Sequence, residues 1–272
     1  MDYHTTKKKL FVIKIGGQII DDPVDFKSFL NSFASIGEKK ILIHGGGKLA
    51  TKLAEQLNVE QHVVDGRRIT DAQTLRLVTM VYAGEINKNI VAQLQSNDCD
   101  ALGLTGADGN AILAHKRKDT SSVGEPGVDY GFAGDVDFVN TRLLVLLLEN
   151  NITPVFAPLT HDKKGQLLNT NADTIARSVA TAMSDKYEVN LVYSFEKNGV
   201  LSNAGDESSV IKNIDPGIYR ELKLSGAIFA GMIPKLDNAF SALDLGVQRV
   251  IIGKAGQLLQ LINGEAGTSI YK

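Results

Sequence analysis

Tryptophan is absent from this sequence of 272 residues, cysteine occurs once and proline six times. A lone cysteine, Cys99, closes no intrachain disulfide, so stability has to come from a hydrophobic core, and a reducing compartment, the cytoplasm, is expected. Charge of one sign is also scarce: 29 Lys and Arg against 31 Asp and Glu leave a formal charge of −2. That balance argues against nucleic acid or a membrane surface as partner, and a substrate has to be selected by a local site. Long apolar runs are missing too. The longest, Leu143 to Leu148, falls far short of the roughly 20 residues that a helix needs to span a bilayer. The basic start, Met1 to Lys9, leads into six mostly apolar residues interrupted by Lys14, which fits neither a signal peptide nor a span. The five histidines show no metal-ligand spacing, so no metal held by protein ligands is expected.

What is present is a regular alternation. Short β-rich apolar runs, Leu10 to Ile15, Ile41 to Ile43, Ala101 to Leu104, Thr153 to Ala157, Val189 to Tyr193 and Val250 to Ile252, are separated by amphipathic stretches. This is the pattern of parallel strands joined by crossover helices, and it predicts an α/β fold. The clearest helix opens on Thr70-Asp71-Ala72-Gln73, read as a capping box, and carries Leu75, Val78, Tyr82, Ile86, Ile90 and Leu94 on one stripe. Such a stripe suits the core or a second copy of the chain. Lys116 to Gly134 reads as an irregular excursion, and His161 to Gln166 and Asn203 to Ser209 as surface hairpins or loops. A division into lobes is expected in the helix after Asn169, giving 1–180 and 181–272.

Several segments carry chemistry. The first strand runs out into Lys14-Ile15-Gly16-Gly17. A lysine at the carboxyl end of an apolar strand is costly to bury without an anion, and open α/β sheets bind ligands at that end; the alternative is a lysine snorkelling past the sheet edge. The adjacent glycines let backbone N–H groups approach a phosphate. The second strand ends in His44-Gly45-Gly46-Gly47 before a helix with Leu49, Leu53 and Leu57, a second anion-binding turn. Leu42 and Leu49 break the spacing of a Gly-x-x-x-x-Gly-Lys phosphate loop. Gly45, Gly47 and Ala50, with Asp65 about twenty residues on, fit a relaxed dinucleotide fingerprint and leave an NAD-dependent enzyme as a rival reading.

Asn169-Thr170-Asn171-Ala172-Asp173 precedes a helix, where Asn as cap and Asp in the first turn are explained by helix physics alone. Gly231-Met232-Ile233-Pro234-Lys235 opens another, with Pro234 suited to its start. Lys235 then falls in the first turn, where a cation is disfavoured by about 0.3–1 kcal/mol at exposed sites. A bound anion would give it a reason. Two lysines, two glycine turns and an acid, with no protein nucleophile in view, describe phosphoryl transfer, which needs alignment and neutralisation of charge with Mg²⁺ assisting.

In their order along the chain, Lys14-x-Gly16-Gly17, His44-Gly45-Gly46-Gly47, Gly66-x-Arg68-x-Thr70, Gly103-Leu104-Thr105-Gly106, Asn169-x-Asn171-Ala172-Asp173 and Gly231-Met232-Ile233-Pro234-Lys235 make the chain resemble the amino-acid kinase family. Within it, the N-acetylglutamate kinases of arginine biosynthesis are the nearest branch. The resemblance implies an open αβα sandwich with a mainly parallel central sheet, an N-terminal lobe for an acylated amino acid and a C-terminal lobe for ATP. It implies transfer of the γ-phosphoryl group of ATP, with Mg²⁺, to the side-chain carboxylate of an N-acylglutamate, acetyl or succinyl.

By the same resemblance Lys14 and Lys235 brace the phosphoryl group and Asp173 holds both ammonium groups. Gly46 and Gly47 offer N–H groups to the substrate and the reacting phosphoryl, and Gly16 and Gly17 do so from the other turn. Arg68 grips the α-carboxylate, although charge alone would suit Arg67 equally, and Asn169 binds the amide. Glu196, Gly199, Gly231 and Met232 fall with the nucleotide. Ser194-Phe195-Glu196-Lys197-Asn198-Gly199 departs from the family's Ser/Thr-Asp-apolar pattern, so either Glu196 replaces the aspartate near the ribose or Mg²⁺, or the nucleotide is held differently. Only nine residues precede the first strand, which by resemblance points to a homodimer without arginine feedback. Another carboxylate or UMP as acceptor, or a non-catalytic sensor on the same scaffold, are the alternatives.

Overall fold

The structure, a computed structural model, describes residues 7–64, 67–118, 127–203, 205–226, 228 and 232–272. Asp65, Gly66 and Gly231 lie outside the described residues, as does the middle of the Lys116 to Gly134 stretch.

From the amino end, β1 (Lys9–Ile15), α1 (Gly17–Asp21), α2 (Pro23–Ala34) and β2 (Lys39–His44) lead into α3 (Gly47–Gln56), β3 (Val63–Val64) and β4 (Arg67–Arg68). A continuous helical stretch follows: α4 (Ala72–Val78), a π-helical segment (Thr79–Ile86) and α5 (Asn87–Gln95). Next come β5 (Ala101–Leu104), β6 (Ile112–Lys116), β7 (Ala133–Val139), α6 (Thr141–Glu149), β8 (Thr153–Phe156), β9 (Leu159–His161), β10 (Leu167–Thr170) and α7 (Ala172–Met183). The remainder is β11 (Glu188–Phe195), β12 (Asn213–Ile214), α8 (Pro216–Ser225), α9 (Ile233–Asp244), β13 (Arg249–Lys254), α10 (Leu258–Asn263) and β14 (Thr268–Ile270). No helix among the described residues is long and apolar enough to cross a membrane.

The chain forms two compact units, one taking the chain up to Leu42 together with Val179–Lys272, the other Ile43–Ser178. The chain therefore crosses between units twice, where one cut near residue 180 was expected. In the first unit the strand order is β12-β14-β13-β11-β1-β2. β1 pairs in parallel with β11, and β11 with β13, while β14 runs antiparallel to β13. Leu10, Phe11, Val12, Ile13 and Ile15 are all buried, the continuous apolar reading of a parallel strand covered on both faces. Beside it, α2 begins with the Asp22 carboxylate accepting from the N–H groups of Val24 and Asp25 and buries Phe26, Phe29, Leu30 and Phe33.

In the second unit β5 and β8 pair in parallel, β3 and β4 form a small antiparallel pair, and β10-β7-β6-β9 close into a barrel that the alternation did not foretell. The antiparallel β9 and β10 flank the hairpin read at His161 to Gln166. Gly134 lets the barrel close: a Cβ there would come within 2.6 Å of the Thr170 hydroxyl. The long helical stripe is buried as a core stripe from Leu75 to Leu94, and Leu77 and Val81, four residues apart, widen it. Its cap differs from the capping-box reading. Asp71, not Thr70, accepts the Thr74 N–H at 2.7 Å, and that bond holds the Asp71 carboxyl below its ordinary range. Thr70 is buried and bonds elsewhere.

Candidate active site

The second unit contains one cluster of the expected site residues. His44 ends β2 with its ring fully buried, and burial pushes its pKa down to about 4. The ring is therefore neutral. Because a carbonyl can only accept, Nδ1 carries the proton and donates to the Gly45 carbonyl at 2.8 Å, leaving Nε2 to accept from the Asn87 side chain at 3.2 Å. The other Asn87 amide hydrogen goes to the Val155 carbonyl at 3.0 Å, and Lys88 donates to its oxygen at 3.1 Å. Gly103 makes room for this amide: a Cβ there would lie 2.0 Å from Asn87 Oδ1. The glycine turn is thus fixed from beneath by a neutral, hydrogen-bonded pair.

Above that pair, Gly46 lies against the π-helical segment, where a Cβ would meet Ile86 Cδ1 at 2.4 Å and the Tyr82 ring at 3.0 Å. Gly47 opens α3. The Arg68 guanidinium is tied to the same turn, donating to the Gly47 carbonyl at 3.1 Å, to the Thr51 hydroxyl at 2.9 Å and to the Gln61 side-chain oxygen. Asn169 on β10 donates to the Thr70 hydroxyl at 3.0 Å, and that hydroxyl donates to the Arg68 carbonyl at 3.0 Å. Gly46 and Gly47, Arg68 and Asn169, drawn from three separate motifs, line one cavity. Arg117 lines it as well, paired with the Asp135 carboxylate and lying over the Tyr130 ring. No sequence signal marked Arg117. Asp173 sits in the first turn of α7, whose N-terminal N–H groups at Asp173 and Thr174 are capped by the Asn171 side chain.

The first unit contains the other cluster. Lys14 lies opposite Tyr193 in the register of β1 with β11, and Gly16, just past β1, donates its N–H to the Ser194 carbonyl at 3.0 Å. Gly17 is the first residue of α1. Lys235, in the first turn of α9 behind the Met232 cap, holds its ammonium 4.5 Å from the centre of the Phe195 ring. Phe195 is the last residue of β11 and lies beside Gly16, whose added Cβ would stand 3.7 Å from that of Phe195. Lys235 is thereby brought to the strand end that carries Lys14, Gly16 and Gly17. Glu196 is exposed just beyond. Gly199 is buried, and a Cβ on it would meet the Thr268 hydroxyl at 2.8 Å and Val210 at 2.9 Å, a packing requirement independent of any ligand.

Comparison with known proteins identifies the family. The family model described as "Amino acid kinase family" matches residues 9–254. An acetylglutamate kinase of Cytophaga hutchinsonii is 56% identical over 256 residues, covering 94% of this chain and 95% of that protein. One from Phocaeicola vulgatus is 51% identical over 268 residues, covering 98% of this chain and all of the relative, 100%. Among solved structures, carbamate kinase from Giardia superposes with a TM-score of 0.69 at 14% identity over 98% of this chain and 99% of that one, a likeness of fold.

Proposed function

The chain belongs to the amino acid kinase family, and from that premise we propose that it transfers the γ-phosphoryl group of ATP to the side-chain carboxylate of N-acetyl-L-glutamate. The acceptor is a carboxyl group, and the product is an acyl phosphate of the kind used in arginine biosynthesis. What supports the reading most directly is the cavity where Arg68 and Asn169 meet the Gly46–Gly47 turn. A guanidinium suits an α-carboxylate, a side-chain amide suits an acylamino group, and a glycine turn at a helix start suits an oxyanion.

Lys14 and Lys235, with the Gly16–Gly17 turn, form a donor set that fits a polyphosphate, and in this reading they hold the transferred group while Asp173 orients the ammonium groups. Among the described residues no three His, Cys, Asp or Glu side chains cluster to hold a metal; Mg²⁺ would enter with ATP, and the chemistry it would supply is neutralisation of charge on the phosphate oxygens. A homodimer and a cytoplasmic setting belong to the same reading and rest on the resemblance; a sedimenting mass of two 29.3 kDa chains tests the first.

Trapping with hydroxylamine tests the activity. ATP-dependent hydroxamate should form with N-acetyl-L-glutamate and be lost in Lys14→Ala and Lys235→Ala; near-normal turnover in both variants would refute the assigned roles. Arg117 favours a second substrate, the N-succinyl analogue, because its extra carboxylate needs a cation and this one lines the same cavity. Comparing kcat/KM for the two acyl groups, in the native chain and in Arg117→Ala, separates them: a selective loss for the succinyl substrate identifies Arg117 as its partner.

A further inference from the structure

The departure Ser194-Phe195-Glu196 puts an aromatic ring where the resemblance leads one to expect an aspartate after Ser or Thr, and Lys235 lies over that ring. We infer that Phe195 is a positioning residue for Lys235, its ring face holding the ammonium at the end of β1 and β11 so that the charge is presented to the transferred phosphate. The inference rests on Lys235 acting in the transfer as proposed above.

The geometry has three parts. Phe195 closes β11, in register with Lys254 of β13, and is half-buried. Its neighbour Ser194 accepts the Gly16 N–H, which ties the backbone that carries the ring to the turn after Lys14. The Lys235 ammonium stands 4.5 Å from the ring centroid, well inside the range of a cation–π contact.

The chemistry explains why a ring serves here. Lys235 lies in the first turn of α9, where the helix dipole works against a cation, so its side chain needs an attractive surface if it is to stay extended toward the strand end. A carboxylate at position 195 would supply one but, added to the Asp173 carboxylate of the proposed site, would leave less net positive charge for the phosphate. A ring face attracts an ammonium through its quadrupole and carries no net charge of its own, so the positive charge is held in place without being neutralised.

The test is a series in which Phe195 is replaced by mono-, di- and trifluorophenylalanine, which weakens the ring quadrupole stepwise at nearly constant shape. In the full-length enzyme kcat should fall stepwise along the series, with KM for the acyl substrate and Tm little changed. Phe195→Leu should lower kcat by roughly three- to thirtyfold, the cation–π range converted to a rate, and Phe195→Tyr should stay within about twofold of the native enzyme, since it keeps the ring face. A flat fluorination series overturns the inference even if Phe195→Leu is slow, because ring volume alone would then account for the loss. Lys235→Ala separates the two claims. An inactive Lys235→Ala with a flat series leaves the proposed function standing and removes Phe195 from it, whereas near-normal turnover in Lys235→Ala overturns both.

Discussion

The two glycine turns look alike in the sequence and are built on different principles. At His44-Gly45-Gly46-Gly47 the fold itself demands a glycine, since Ile86 and Tyr82 occupy the space a Cβ would need at Gly46, and a buried His44–Asn87 pair fixes the strand end below. At Lys14-Ile15-Gly16-Gly17 it does not: Gly16 has an extended backbone at φ −75°, and the nearest atoms to an added Cβ stand at 3.7 Å, ordinary contact distance. A glycine that packing requires says little about ligands. One that packing does not require leaves its backbone open to a ligand, and the Gly16 turn, beside Lys14, is therefore the better place to test for a phosphate.

The largest effect expected from this contrast is a pH dependence confined to the second unit's turn. Burial holds the His44 pKa near 4, below the ordinary 6.5, so the unfolded chain binds a proton that the folded chain refuses. The stabilisation is complete above pH 6.5 and is lost as pH falls through the window down to about 4, on the order of 3 kcal/mol over the whole span. Denaturant titrations at several pH values should show this slope, and His44→Gln should flatten it. An unchanged slope in that variant would mean that other groups carry the acid sensitivity.

Next in size is Gly46→Ala. With Ile86 Cδ1 at 2.4 Å from the new methyl group, either the π-helical segment or the turn has to move, and overpacking of this kind costs about 1–3 kcal/mol. Tm and turnover should fall together. A variant of native stability would show that the segment yields easily and that the packing account of Gly46 is wrong.

The same contrast marks how far the sequence could be read. All six β-rich runs became strands, because parallel strands covered on both faces are apolar throughout and stand out from their surroundings. The small barrel was missed because β6 and β7 mix His115, Asp135 and Asp137 with apolar residues and close only through partners far along the chain. Motif register alone separates Arg68 from Arg67, and in the structure the Arg68 guanidinium bonds to Gly47 and Thr51. Asn87 was invisible: a polar residue three before Ile90 and seven before Leu94, it shares their buried face, and its role shows only in the contact with His44, far away in the sequence. Gly103 and Gly199 had motif value in the sequence, yet packing against Asn87 and Thr268 already accounts for both.

The smallest change in stability is expected at Gly16→Ala, and it is the sharpest test of the comparison because its two readouts should move in opposite directions. The native backbone there is one that alanine adopts without strain, and no atom stands in the way of a methyl group. Removing glycine's freedom from the unfolded chain should therefore raise stability by about 0.4–1 kcal/mol. If Gly16 is needed so that a phosphate can approach the backbone beside Lys14, the same methyl group fills the approach. Turnover should then drop on the order of tenfold to a hundredfold, the scale of a reacting group displaced by about 1 Å. A more stable and slower enzyme is the outcome that only a ligand-facing glycine produces. A less stable one would place an unseen packing demand at Gly16 and make the two turns alike, and a more stable enzyme of native activity would remove the phosphate from this turn altogether.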